Sequence, residues 1–135
     1  MTRSSLLVLL IEDYALSAKY MMQALKLCNC EEVVIASSGE EAIHITEKHG
    51  PFDVVFVDLV MSGMGGLECM KQLRQMETRN GWRQRFVAMS SDEHLKQDAL
   101  DAGADEFLYK LAHPVREVGI IIKLVDETKR RDEAS

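Results

Sequence analysis

The sequence predicts an α/β fold, a (βα)5 domain built on a doubly wound, five-stranded parallel sheet. Five short apolar runs alternate with five amphipathic segments along the chain. The runs are rich in Val, Ile, Leu and Phe with little polar alternation, as expected of strands buried on both faces. One helical segment separates each pair of runs, which implies right-handed crossovers and helices on both faces of the sheet. With 135 residues and no internal repeat, the chain reads as one domain, 1–135. Its core is expected between residues 6 and 125, followed by a charged C-terminal tail over 126–135.

The elements follow in order. The first strand covers residues 6–11, and the helix after it places Ala18, Met21, Met22 and Leu25 at i, i+3, i+4 and i+7, a single apolar stripe. The second strand covers 32–36. Its helix is less regular, but Ser37-Ser38-Gly39-Glu40-Glu41 supplies a polar, acidic start that suits the helix dipole. The third strand, 54–58, runs into a glycine-rich loop, and Gly66, Cys69, Met70 and Leu73 then repeat the helical spacing. Residues 78–85, with Asn80-Gly81 inside them, read as a long polar surface loop. The fourth strand covers 86–89; Leu95, Ala99 and Ala102 mark its helix, which Gly103 ends. The fifth strand is 106–109, and Val115, Val118, Ile122 and Val125 mark the last helix.

Composition narrows the function. Apolar residues make up 47% of the chain and charged residues 28%, a globular balance. The net charge of −6 argues against nucleic acid as a partner, because phosphate binding needs a basic face. The basic residues Lys71, Arg74, Arg79, Arg83 and Arg85 read as a solvated helix face and loop. No apolar run reaches transmembrane length, and residues 1–5 are too short and polar to open a signal peptide, so a cytoplasmic protein without membrane insertion is expected. Cys28, Cys30 and Cys69 are an odd number without a disulfide framework, and Cys28-Asn29-Cys30 has no second ligand pair that would suggest zinc. His44, His49, His94 and His113 show no metal spacing.

The chemistry gathers at strand ends. Asp58 closes the third run, Glu12-Asp13 follow the first, Ser90-Ser91 follow the fourth, and Lys110 follows the fifth. In an open parallel sheet, ligands collect at the C-terminal edge of the strands. Three carboxylates, a hydroxyl and a lysine on that edge suit a divalent cation plus a phosphoryl group. Structural alternatives exist for single residues. Asp13 would serve as an N-cap for a helix starting near Tyr14, Ser90 as a cap for the fourth helix, and Lys110 as the partner of a surface acid. Capping does not account for Asp58, which no helix directly follows. Glu12 and Asp13 repel each other unless a cation or basic group lies between them.

These residues resemble the phosphoacceptor receiver domains of two-component signalling, from about Leu6 to about Val125. The run Ala99-Leu-Asp-Ala-Gly-Ala-Asp-Glu-Phe-Leu-Tyr-Lys110 is similar to the family's A-x-x-A-G-A-x-x-F/Y-x-x-K. Asp53-Val-Val-Phe-Val-Asp58-Leu-Val-Met61 is similar to its D-x-x-x-x-D-x-x-M, and Glu12-Asp13 matches its acidic pair. The resemblance implies a flavodoxin-like receiver fold of the single-domain chemotaxis type, with Asp58 as the phosphorylated nucleophile. It implies Mg2+ ligated by Asp13, Asp58 and the Val60 carbonyl, with Glu12 acting mainly through water. Lys110 and Ser90 would contact the phosphoryl oxygens, and Phe107 would be the aromatic that moves with Ser90. A sensor histidine kinase or histidine phosphotransfer protein would supply the phosphoryl group. A downstream protein target would read it, with a phosphorylation-dependent dimer as one form of output. Such a domain is not an enzyme in the usual sense, since it catalyses only its own phosphotransfer and autodephosphorylation.

Four positions depart from the family pattern. Ser62 stands where proline is common and Gly65 where Asp is frequent, so the loop should be less rigid and Mg2+ weaker bound. Leu111 stands where a cis proline is usual, so a trans peptide and a different loop path are expected there. Val60 is apolar where many receivers carry a polar side chain, leaving Asp92 to orient an attacking water. Other classes fit less well. A pseudo-receiver, binding partners without phosphorylation, would usually lack Asp58 or Lys110. A haloacid-dehalogenase-type hydrolase wants a carboxylate at Val60. A flavin-nucleotide binder wants a Ser/Thr/Gly-rich loop where Glu12-Asp13-Tyr14 stands. Ile120-Ile121-Ile122 cannot all face the sheet, so Ile120 or Ile121 is expected to reach solvent on an output face.

Overall fold

A computed structural model describes residues 4–110 and 112–134. The elements run β1 (Ser4–Ile11), α1 (Ala15–Leu27), β2 (Cys30–Ala36), α2 (Gly39–His49), β3 (Val54–Asp58), α3 (Gly66–Asn80), β4 (Arg85–Ser90), a 3-10 turn (Glu93–Leu95) leading into α4 (Lys96–Asp101), β5 (Glu106–Tyr109) and α5 (Pro114–Ala134). All strand pairs are parallel, in the order β2-β1-β3-β4-β5. The expected (βα)5 doubly wound sheet is therefore the one observed.

Strand alternation divides the interior into two layers. Leu6, Val8, Leu10, Val54, Phe56, Val87 and Met89 meet the stripes of α1 and α5 on one face. Leu9, Ile11, Val55, Val57, Phe86 and Ala88 meet α2, α3 and Ala99 of α4 on the other. Every residue of β3 is buried, because helices cover both of its sides. The chain leaves β1 for β2 in one direction and builds β3, β4 and β5 in the other. The strand order thus reverses between β1 and β3, which opens a crevice at their C-terminal ends.

The structure differs from the sequence reading in four places. Residues 78–80 continue α3, and only 81–84 form the connection, so no long surface loop exists there. Gly81 at φ 72° closes the helix, its N–H donating to the Glu77 carbonyl at 2.8 Å. The fourth helix opens as a 3-10 turn and has only six α residues. The charged stretch expected as a tail instead extends α5 to Ala134. It holds no glycine or proline, and Arg130 to Asp126 at 3.2 Å and Lys129 to Asp53 at 3.0 Å support it. Finally, Arg74 and Arg85 are half-buried in ion pairs rather than parts of a solvated face, whereas Arg83 is exposed as expected while pairing with Asp105. Lys71 and Arg79 remain exposed, as expected. Of the three isoleucines, Ile120 is the exposed one, at 58%. The peptide expected to be trans before Leu111 lies outside the described residues.

Candidate functional site

Parallel register sets the site. Ile11 lies beside Val57, Asp58 beside Met89, and Ser90 beside Tyr109, so the residues that follow these pairs emerge together at one edge. Glu12 (2% exposed), Asp58 (4%) and Ser90 (1%) are buried there. The Lys110 ammonium reaches between them, 2.6 Å from Glu12 Oε1 and 3.3 Å from Asp58 Oδ2. One oxygen each of Glu12, Asp13 and Asp58 lie within 4.8 Å of one another.

The adjacent acids part company. Glu12 is buried toward Lys110, whereas Asp13 is exposed, its Oδ2 accepting from Ser62 N at 2.8 Å and Ser62 Oγ at 2.9 Å. That division relieves the repulsion expected of neighbouring carboxylates. Asp13 does not cap α1, whose N-cap is Tyr14 without a side-chain bond. Ser90 is not a helix cap either. Its Oγ accepts from Asp92 N at 3.0 Å, and it is Asp92 that caps the 3-10 turn. The Asp92 carboxylate is engaged by His94, through its backbone N–H at 3.0 Å and Nδ1 at 3.1 Å. Phe107 is half-buried opposite Ala88 in the layer beneath α3 and α4.

The glycine-rich loop is shaped around Asp58. A Cβ on Gly66 would lie 2.7 Å from Leu59 Cα and closer still to the Asp58 carbonyl, so only glycine lets α3 approach the strand end. Val60 points its side chain to solvent, and its N–H donates to Asp58 Oδ1 at 3.3 Å. The missing proline predicts a slack loop, whereas the structure ties this loop to Asp13 through the two Ser62 hydrogen bonds. No local signal carries that tie, because serine is common in loops for many reasons.

The electrostatics are unbalanced. Burial, then hydrogen bonding and repulsion from Glu12, push the Asp58 carboxyl up from 3.8 to about 7, against the pull of Lys110 and the Val60 N–H. Burial also works on Glu12, but hydrogen bonds from Asp58, Lys110 and Ser17 outweigh it and leave its carboxyl below the ordinary value. The two hydrogen bonds from Ser62 lower Asp13. Burial opposes the Lys110 ammonium, yet Glu12 and Asp58 hold its pKa up. Three carboxylates against one ammonium leave surplus negative charge among hard oxygen donors, the donor set that Mg2+ takes.

The profile of the response regulator receiver domain family matches residues 8–121. Histidine kinase CKI1 of Arabidopsis thaliana is 32% identical over 130 residues, covering 82% of this chain and 12% of that protein. The chain spans about half the length, or less, of the curated relatives it matches. Among solved structures, the CKI1 receiver domain complexed with Mg2+ is 28% identical with a TM-score of 0.75, covering 89% of this chain and 93% of that one. A chain from the Saccharomyces cerevisiae co-crystal of the histidine phosphotransfer protein Ypd1 with the receiver domain of Ssk1 gives a TM-score of 0.83. It is 24% identical and covers 96% of this chain and 94% of that one, a likeness of fold.

Proposed function

This chain belongs to the response regulator receiver domain family, and on that premise we propose that it accepts a phosphoryl group on Asp58 from a phosphohistidine protein and passes the signal on by protein contact. The observation that carries this reading is the charge surplus around a buried Asp58 whose oxygen lies 3.3 Å from Lys110. In the transfer, an Asp58 oxygen forms the bond to phosphorus as the bond from phosphorus to the donor imidazole nitrogen breaks, the electron pair staying on the imidazole. Asp13, Asp58 and the Val60 carbonyl would hold Mg2+, with Glu12 acting mainly through water. Bound there, the cation would neutralise the carboxylates and the charge on the equatorial phosphoryl oxygens. Lys110 shifts from Glu12 toward those oxygens, and the Ser90 hydroxyl donates to one of them. Ser90 moving toward phosphate vacates space for Phe107, which alters the face made by α4, β5 and α5, where Ile120 is exposed.

The phosphodonor is a sensor histidine kinase or a histidine phosphotransfer protein. Exposed Tyr14, Leu16 and Tyr20 border a cavity shared with Pro114 and Lys110, an apolar landing surface beside the pocket. A cytoplasmic setting suits this role, and among the described residues no helix is long and apolar enough to cross a membrane. Nucleic acid is not the expected partner of a chain with net charge −6. The test is intact mass after incubation with Mg2+ and acetyl phosphate. A phosphoryl adduct is expected in the wild type and not in Asp58→Asn, with hydrogen exchange changing around Ser90 and Phe107 in the phosphorylated sample. No adduct in a protein that binds Mg2+ would replace this reading with that of a pseudo-receiver.

A further inference from the structure

We propose that Ser62 is a positioning residue for the cation, a tether that holds Asp13 in place at the mouth of the site. Asp13 is exposed and lies outside regular structure, so its carboxylate would otherwise move among rotamers. Two donors of one residue, Ser62 N and Oγ at 2.8 and 2.9 Å, converge on the same oxygen, Oδ2. Charge-assisted hydrogen bonds of this kind fix geometry as well as contribute energy. Asp13 thereby keeps an oxygen within 4.8 Å of those of Glu12 and Asp58 while Ser62 engages Oδ2.

The tether also joins two loops. Asp13 follows β1, whereas Ser62 follows β3 on the segment that carries Asp58 and Val60, 49 residues away. That segment includes Gly63 at φ 70° and Gly65, so little in its own backbone restrains it. Ser62 sets the distance between the halves of the ligand set before the cation arrives, which lowers the ordering needed on binding. A partner that orients a ligating carboxylate in this way typically changes metal affinity by about 10-fold to 100-fold. Both residues are exposed, which places Ser62 at the lower end.

This inference rests on the reading that Glu12, Asp13 and Asp58 hold Mg2+, and its test separates the two. Mg2+ affinity is measured by calorimetric titration on wild type, Ser62→Ala, Ser62→Thr and Asp13→Ala, with melting temperature recorded in EDTA. Wild type is expected to bind, Asp13→Ala to lose binding, and Ser62→Ala to weaken it about tenfold. Ser62→Thr, which retains both donors, should bind like wild type, and the metal-free melting temperatures of both Ser62 variants should stay close to wild type. Unchanged or tighter binding in Ser62→Ala, alongside lost binding in Asp13→Ala, overturns the tether alone; tighter binding means that Ser62 competes with the cation. No Mg2+ binding by the wild type overturns both readings.

Discussion

Both ends of this sheet gather carboxylates and cations, and they treat them in opposite ways. At the N-terminal ends of β4 and β5, Arg74 donates all five of its N–H groups. Its acceptors are Glu77 Oε1 (2.7 Å), the Gln84 carbonyl (2.8 Å), Asp105 Oδ2 (3.0 Å) and the Gly103 carbonyl twice (2.7 and 3.2 Å). The guanidinium also lies 4.0 Å from the Phe86 ring centroid. Arg83 takes the other oxygen of Asp105, so two arginines balance two carboxylates. Among the described residues, two buried polar side-chain atoms near this end, Trp82 Nε1 and Gln84 Nε2, lack partners. At the C-terminal ends, three carboxylates face one lysine. Closed networks of this kind stabilise, whereas an open, like-charged cluster is strained until a ligand completes it.

Emptying one end at a time separates the two behaviours. Arg74→Ala leaves buried Glu77 without its ion-pair partner and Asp105 with Arg83 alone, and should destabilise the fold by about 3 kcal/mol, measured by urea unfolding. The folded fraction should still be phosphorylated at Asp58. A loss below about 1 kcal/mol would mean that the network is ornamental to stability. At the other end the sign reverses. Asp58→Asn removes a buried carboxylate that burial and Glu12 disfavour more than Lys110 favours it, and should stabilise the metal-free protein by about 1 kcal/mol. Saturating Mg2+ should remove that advantage by stabilising the wild type more than the variant.

The smallest effect is in pH, and it also has opposite signs. Hydrogen bonds from Arg83 and the Phe86 N–H outweigh burial and hold Asp105 below its ordinary 3.8. Its contribution is present above about pH 4 and is lost as pH falls through the lowered native value. Asp58, raised to about 7, binds more protons in the native state than in the unfolded one between about pH 4 and 7. Stability in EDTA should therefore fall as pH rises through that window, at most about 1.4 kcal/mol per pH unit and less after the opposing effect of Glu12. Asp58→Asn should flatten that window and leave the acid limb alone, while Asp105→Asn should flatten only the acid limb. A single common slope in both variants would defeat the distinction between the two ends.

Much of the C-terminal edge was readable along the chain. Asp58, Glu12, Asp13, Ser90 and Lys110 each follow a run of buried residues, and that placement depends only on local hydrophobic pattern. The N-terminal edge was not readable. Asp53 reads as one letter of a motif, yet its Oδ2 accepts from Leu7 N at 2.7 Å and Lys129 Nζ at 3.0 Å. Arg74 reads as one of several surface cations because its partners Gly103 and Asp105 stand 29 and 31 positions away. Gly81 ends α3 later than the Asn80-Gly81 pair suggested, since the same dipeptide serves a turn or a helix terminus.

The five alternating elements and the residue types at each strand end are legible in the sequence alone. Those follow from unbroken apolar runs and from stripes repeating about every 3.6 residues, which short windows of the chain display. Which charges meet is set by tertiary packing. It buried Glu12 against Lys110, set Asp13 on Ser62 across 49 residues, and closed one end of the sheet while leaving the other short of positive charge. A hydrogen bond needs its partners within about 3 Å, and at such sequence separations only the packing of helices onto the sheet supplies that distance.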